Sequence, residues 1–411
     1  MFFTFDSFSR KTDNIFRRMK EKLKISGAFR SACILLAVIG VVSFFVGLRT
    51  NPEVTWGAYL VSAYYFIEIA VGAAFFLSLQ YISQSGWSSA FRRVPEAIMA
   101  WIPFAAVLFL LIYFGMHSIY HWSPEDAVLE DELLQHKAGY LNIPFFMVRM
   151  IINFGLWIVL ALMIRRLSIR EDSLDPVDAE GILAVFHKSE IYARIMIFVF
   201  ALTFSIAAFD WIMSLEPHWF SSIFAFKDFV AAFLHGTSII ALIVFILYRM
   251  GYYTFLNEYH LHDFARYIFI LSIIWGYMWF AQFIIIWYGN IPEETTYYFY
   301  RWQDGWKLMF WLQIALNWGV PFMILLPVKT SRNLNVIIGV ILVLIIGQYI
   351  DIFVEVMPPV TGELRFSWIE AGVFLGFAGL FALVVSTALA KADLIPRNHP
   401  YLQESLEHEF E

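Results

Sequence analysis

Ten long apolar runs constrain the fold of this 411-residue chain more than any other feature of its sequence. About 20 apolar residues in an α-helix cross a hydrocarbon layer of about 30 Å. With 60% hydrophobic residues, the chain cannot form a single water-soluble core, and the runs lack the polar alternation of an outer-membrane barrel. The sequence predicts an all-α membrane protein with spans at 29–48, 57–82, 94–116, 142–164, 191–214, 223–248, 264–288, 306–327, 334–357 and 368–390.

A faint internal repeat relates spans 2–5 to spans 6–9. Residues 153–155 (Asn-Phe-Gly) in the fourth span recur as residues 317–319 (Asn-Trp-Gly) in the eighth, and Asp210 and Asp351 each precede a proline by seven residues. Such matches in the same order predict duplication of a four-helix unit, with the copies running in the same sense through the membrane. The predicted segments are 1–28 (basic), 29–56 (span 1), 57–214 and 215–357 (four-helix units), 358–390 (span 10) and 391–411 (tail).

The distribution of charge predicts the orientation of the chain. Most of the 28 lysine and arginine residues lie on the side that holds both termini, so the positive-inside rule predicts that both termini are cytoplasmic. The basic segment 1–28 fits contact with anionic lipid, and docking of a cytoplasmic partner is the alternative. A net charge of -6 gives no indication of nucleic-acid binding. Cys33 is the only cysteine, which excludes an internal disulfide and a cysteine-held iron–sulfur cluster.

Ionisable residues inside the spans are the main functional signal. Each costs roughly 3 kcal/mol or more at bilayer depth unless it is paired. Glu68, near the middle of the second span, is expected to be neutral and protonated, because desolvation disfavours a carboxylate. Asp210 lies at a helix carboxyl end, where the dipole disfavours an anion, so Arg149 or Lys227 must hold it. We predict a line of protonatable groups that comprises Glu68, Arg149, Asp210, Lys227, Asp228, His235 and Asp351.

A structural alternative exists for several of these groups. Asp228 is expected in the first turn of its helix, where a carboxylate complements the dipole, and Arg149 needs Glu68 or Asp210 as an ion-pair partner. Asp351 and Glu355, four residues apart, fit either a structural or a functional role.

Metal and haem sites are not expected. His117 and His121 have the i, i+4 spacing of a helical chelate, but no third ligand follows at a matching spacing, so solvated interface histidines are the preferred interpretation. His235 is the only histidine expected deep in a span, whereas a membrane b-type haem needs a pair of axial ligands. No catalytic residue is predicted. The chain is expected to move protons or to bind a lipid-soluble ligand, and not to carry electrons itself.

The ten spans, the repeat and the hairpin that follows the fifth span resemble the NrfD-like family of quinone-interacting membrane subunits. The most specific pieces are Phe-Asp-Trp at 209–211 and Ser-Leu-Glu-Pro-His-Trp at 214–219, and the nearest resemblance is to the ActF-like members of alternative complex III. It implies a respiratory quinol:cytochrome c oxidoreductase in the bacterial cytoplasmic (inner) membrane. In ActF-like members, buried acids, a lysine and a histidine form a proton path.

The resemblance also implies partners and cofactors. The partners would be a second NrfD-like integral subunit, an iron–sulfur subunit, haem c subunits and a terminal oxidase, together with membrane lipids. Menaquinone or its quinol is the ligand that the family suggests, with no cofactor bound covalently to this chain. Two other functions remain open from the residues alone: a secondary transporter, suggested by the repeat and the midplane charges, and a purely structural scaffold of the complex.

Overall fold

The computed structural model describes residues 22–303 and 305–409, which fold into helices joined by short connections, without a β-strand in those ranges. Ten helical segments are long and apolar enough to cross a membrane, which confirms the all-α fold class and the number of spans. We number them span 1 to span 10 in chain order. They are Gly27–Thr50, Pro52–Ile82, Arg93–Ile119, Ile143–Ser173, Ala179–Leu215, Phe224–Arg249, Glu258–Gly289, Trp306–Leu325, Leu334–Thr361 and Trp368–Ala390.

Spans 4 and 5 are longer than predicted. The sequence places their facing ends at residues 164 and 191, whereas the helices continue to Ser173 and begin at Ala179. Asp178 caps the start of span 5, because its side chain accepts a hydrogen bond from the backbone of Gly181 at 2.9 Å. The end of span 4 is held by ion pairs of Glu171 with Arg92 and of Asp172 with Arg93, which a hydropathy pattern does not reveal.

Span 2 lies at the centre of the molecule and contacts spans 3, 5, 6, 9 and 10. It crosses span 6 at Gly72 and Gly236, where the two backbones touch. A Cβ atom added to Gly72 would lie 1.8 Å from the carbonyl oxygen of Ala232, so only glycine permits this approach. The crossing brings the buried faces of spans 2 and 6 together along their length.

The remaining contacts follow a pattern that the two halves of the chain share. Spans 2, 3, 4 and 5 contact one another in turn, with span 5 returning to span 2, and spans 6, 7, 8 and 9 do the same. Span 1 packs on span 10 through glycines, among them Gly40 and Gly376. The division into two four-helix units with two flanking spans stays a prediction, with which this order of contacts agrees.

Candidate functional site: a buried cluster of ionisable groups

Lys227 of span 6 lies among three buried carboxylates, one from span 6 and two from span 9, and is the one cation of this group. Its Nζ lies 3.2 Å from Oδ1 of Asp351 and 3.8 Å from Oδ1 of Asp228, and it also donates to Oε1 of Glu355. All four side chains are at most 3% exposed. One ammonium group cannot neutralise three ionised carboxylates, and like charges in a dry interior repel strongly, so the cluster favours retention of at least one proton. We call Lys227, Asp228, Asp351 and Glu355 the lysine cluster.

Tyr64 of span 2 joins the lysine cluster to the middle of the molecule. Its hydroxyl group donates a hydrogen bond to Oδ2 of Asp228. Asp228 is the fifth residue of the helix Phe224–Arg249, so the prediction that it occupies the first turn is wrong. The helix dipole therefore does not account for this buried acid, and its hydrogen bond to Tyr64 and its nearness to Lys227 do.

Glu68 and His235 face each other about one helical turn after Tyr64 in span 2. Glu68 lies four residues after Tyr64 in span 2, and its Oε2 is 3.7 Å from Nδ1 of His235 in span 6. The His235 ring packs edge-on against Tyr65, with ring centroids 4.2 Å apart. Neither oxygen of Glu68 nor either ring nitrogen of His235 has a hydrogen-bond partner among the described residues. The distance is too long for a direct hydrogen bond and short enough for one water molecule to bridge.

Five of the seven predicted residues therefore lie in two neighbouring groups, which are related by Tyr64 and Glu68 on one face of span 2. Glu68, Lys227, Asp228, His235 and Asp351 come together from spans 2, 6 and 9. The predicted line of protonatable groups did not include two further members of this region, Tyr64 and Glu355, although the sequence left a role for Glu355 open. The spacing of the sequence could have identified both, because each lies four residues from a predicted acid and therefore on the same face of the same helix.

Arg149 and Asp210, the other two predicted residues, form a separate pair. Nε of Arg149 donates to Oδ2 of Asp210 at 2.6 Å, and Nη2 donates to Oδ1 at 3.0 Å. Arg149 also donates to the Tyr140 carbonyl oxygen at 2.9 Å and lies over the rings of Tyr140 and Phe145. Within 22–303 and 305–409, no hydrogen bond or ion pair joins Arg149 or Asp210 to the lysine cluster.

A second buried charge network lies on the side of the membrane that holds the carboxyl terminus. Arg92 and Glu171 form an ion pair at 2.9 Å, and Arg93 pairs with Glu96 at 2.7 Å. The sequence does not reveal this network, because Glu171 and Asp172 fall between two predicted spans and Glu96 lies at the very start of another. It comprises Arg92, Arg93, Glu96, Arg165, Glu171 and Asp172, with cationic and acidic groups in equal number.

The tail covers this network. The Asn398 side chain donates to the carbonyl oxygens of Glu171 and Leu174, both at 2.9 Å. His399 lies beside a cavity of about 340 Å³ that Arg92 also lines. Burial, and then the nearby arginines, hold the pKa of the His399 imidazole well below its usual value. The balanced charges and the bonded tail point to a structural role for this end of the molecule.

His117 and His121 do not form the helical chelate that their spacing would allow. The last helical turn of span 3 is Met116–Ile119, so His121 lies beyond it. A ring nitrogen of His121 lies 3.1 Å from the Pro359 carbonyl oxygen, and Nδ1 of His117 lies 3.1 Å from Oγ of Ser123. The described part of the chain contains no group of three or more histidine, cysteine or acidic residues that could hold a metal ion.

No model of a known protein family matches this chain, and no curated protein sequence is significantly similar to it.

Proposed function

We propose that this multi-pass membrane protein conducts protons through the region that runs from the lysine cluster through Tyr64 to Glu68 and His235. The observation that carries the proposal is the placement of two groups of buried ionisable side chains next to each other in the helical core, with Tyr64 and Glu68 on one face of span 2. Groups of this kind are costly in a membrane interior unless they serve a purpose such as proton relay. The excess of carboxylates around Lys227 supplies a store from which a proton can leave, and Glu68 and His235 can exchange protons through one bridging water.

We further propose that the chain works as an integral subunit of a quinol:cytochrome c oxidoreductase of the alternative complex III type. This proposal depends on the resemblance to NrfD-like, ActF-like subunits. Oxidation of one quinol releases two protons and two electrons. In the proposed assembly, the haem c and iron–sulfur subunits take the electrons, and this subunit provides a route for protons. The assembly would lie in a bacterial cytoplasmic membrane with both termini of this chain in the cytoplasm, as the distribution of lysine and arginine supports.

Purification of the native assembly through an affinity tag on this chain tests membership of the complex. We expect haem c and iron–sulfur subunits to co-purify, which absorbance spectra and mass spectrometry would detect. A quinol:cytochrome c activity should accompany them. Purification of the chain as a stable, haem-free protein without partners would contradict the proposal, and transport of a solute by that lone chain in liposomes would favour the secondary transporter.

Substitution of the central groups tests the proton route. We expect Glu68→Gln and His235→Gln to lower the number of protons moved per electron in liposomes that contain the assembly. Glu370→Gln is the matched control: Glu370 is as buried as Glu68, and glutamine can keep its capping box at the start of span 10. Unchanged electron transfer and unchanged proton movement in the Glu68 and His235 variants would leave only a scaffold role.

A further inference from the structure

A small cavity lies on the face of the molecule opposite the termini. It is enclosed by the hairpin that follows span 5, the short helix Pro292–Arg301 and span 9, and its lining includes Met213, Glu216, Trp219, Tyr297, Arg301 and Glu355. The Glu216 side chain is 17% exposed, so the cavity approaches the surface at this residue.

Glu355 connects this cavity to the proposed proton route. Its Oε1 accepts a hydrogen bond from Lys227, which makes it a member of the lysine cluster. Its Oε2 is buried and has no hydrogen-bond partner among the described residues, although the residue lines the cavity. A buried carboxylate oxygen needs a partner, and a water molecule held between Glu355, Arg301 and Glu216 in this cavity would supply one.

A fixed positive charge stands between Glu355 and the surface. Arg301 donates through Nη2 to Oε1 of Glu216 at 2.7 Å, and its guanidinium carbon lies 3.4 Å from the centre of the Tyr297 ring. It also donates to the carbonyl oxygens of Val354 at 2.9 Å and of Glu355 at 3.1 Å. These contacts hold a guanidinium group that is 1% exposed. An arginine placed in this way in a narrow passage repels protons and other cations.

We propose that this cavity is the proton opening of the route on the face opposite the termini, and that the Arg301–Glu216 ion pair controls it. The ligand of the site is water, with the proton that it carries. While Glu216 neutralises Arg301, protons exchange between Glu355 and the surface; an unpaired Arg301 blocks them. The inference rests on the proposed proton-conducting function and adds to it the opening and the residues that control passage.

Thiol labelling tests the opening without any measurement of protons. Cys33 is the only cysteine, so Cys33→Ser provides a background without thiols. In that background, Met213→Cys should react with a membrane-impermeant thiol reagent that is added to the face opposite the termini. The control is Phe198→Cys, also in span 5, which is 68% exposed on the apolar surface and should stay unlabelled because lipid covers it. An unlabelled Met213→Cys in an assembly that retains its activity would overturn the proposed opening.

Two single variants and their double variant test the ion pair. Glu216→Gln should slow proton movement during quinol oxidation by about tenfold or more, because it leaves Arg301 charged and unpaired. Arg301→Gln should behave like the wild type, in which the pair is neutral, and should restore proton movement in the Glu216→Gln background. Equal behaviour of wild type, Arg301→Gln and Glu216→Gln in intact assemblies would overturn control by this pair.

The two experiments separate the inference from the function on which it rests. If Glu68→Gln abolishes proton movement while Met213→Cys stays unlabelled, the route exists and its opening lies elsewhere. If Met213→Cys is labelled while Glu68, Glu216 and Arg301 variants leave proton movement unchanged, the proton-conducting function fails, and with it the role of the ion pair.

Discussion

The Arg149–Asp210 pair allows a quantitative test of what a buried charge does in this molecule. Both side chains are nearly inaccessible, at 8% and 1% exposure, and two hydrogen bonds of 2.6 and 3.0 Å join them. Asp210→Asn would leave a buried guanidinium group without a counter-charge, at a cost of about 3–5 kcal/mol. Replacement of both residues, Arg149→Met with Asp210→Leu, removes both charges. The double variant should lose only about 1–2 kcal/mol, from the contacts of Arg149 with Tyr140 and Phe145.

Unfolding of the purified assembly in mixed detergent measures these differences for the wild type, Asp210→Asn, the single variants Arg149→Met and Asp210→Leu, and the double variant that combines them. The exposed pair Arg332–Glu258, at 3.3 Å, is the matched control, and its loss in Glu258→Gln should cost at most about 1 kcal/mol. A double variant as unstable as the sum of the single variants would refute the reasoning. The same samples decide the role of the pair: a lower proton-to-electron ratio in Asp210→Asn at near wild-type stability would assign Asp210 to the proton route.

Three further predictions concern packing, charge and pH. Gly72→Ala should prevent assembly, because its Cβ would meet the span 6 backbone, whereas Gly155→Ala has open space and should be tolerated, as detergent gel filtration would show. Lys227→Met should cost about 3–5 kcal/mol in unfolding experiments and stop coupled proton movement, because three buried acids lose their cation. Because the pKa of the His399 imidazole is lowered in the folded protein, the unfolded chain binds one more proton below about pH 6.5. The free energy of unfolding should therefore fall with falling pH, by at most about 1.4 kcal/mol per pH unit. Proteolysis of the tail at about pH 7.5 and 5 measures this loss, which His399→Phe should abolish.

The number and type of the spans could be predicted because hydrophobicity along a membrane helix is a property of the chain alone. The facing ends of spans 4 and 5 could not be predicted in this way. The last turns of span 4 and the first turns of span 5 are polar, so hydrophobicity does not mark where these helices end and begin. Glu171 illustrates the difference. In the sequence it is one of several charged residues in a polar stretch, whereas in the structure it is fully buried and pairs with Arg92, 79 residues away.

The sequence identified most of the residues of the candidate site, but it did not show which of them pair with one another. Glu68 and His235 were expected at similar depths because both lie near the middle of a span, and the structure places them 3.7 Å apart. The choice between Glu68 and Asp210 as the partner of Arg149 depends on how each helix is rotated about its axis, which the sequence does not define. The rotation of span 9 about its axis likewise places Glu355 beside Lys227, within the lysine cluster.

The two acids that the repeat relates, Asp210 in span 5 and Asp351 in span 9, have different partners. Asp210 has one cation, Arg149, whose two hydrogen bonds occupy both of its oxygens, so the pair is neutral and closed. Asp351 shares Lys227 with two other carboxyl groups, so its environment carries more acid than base. A closed pair keeps its charges fixed, whereas a surplus acid can take up and release a proton at little cost. Under the proposed duplication and the proposed proton route, the first half uses this position for stability and the second uses it for proton transfer.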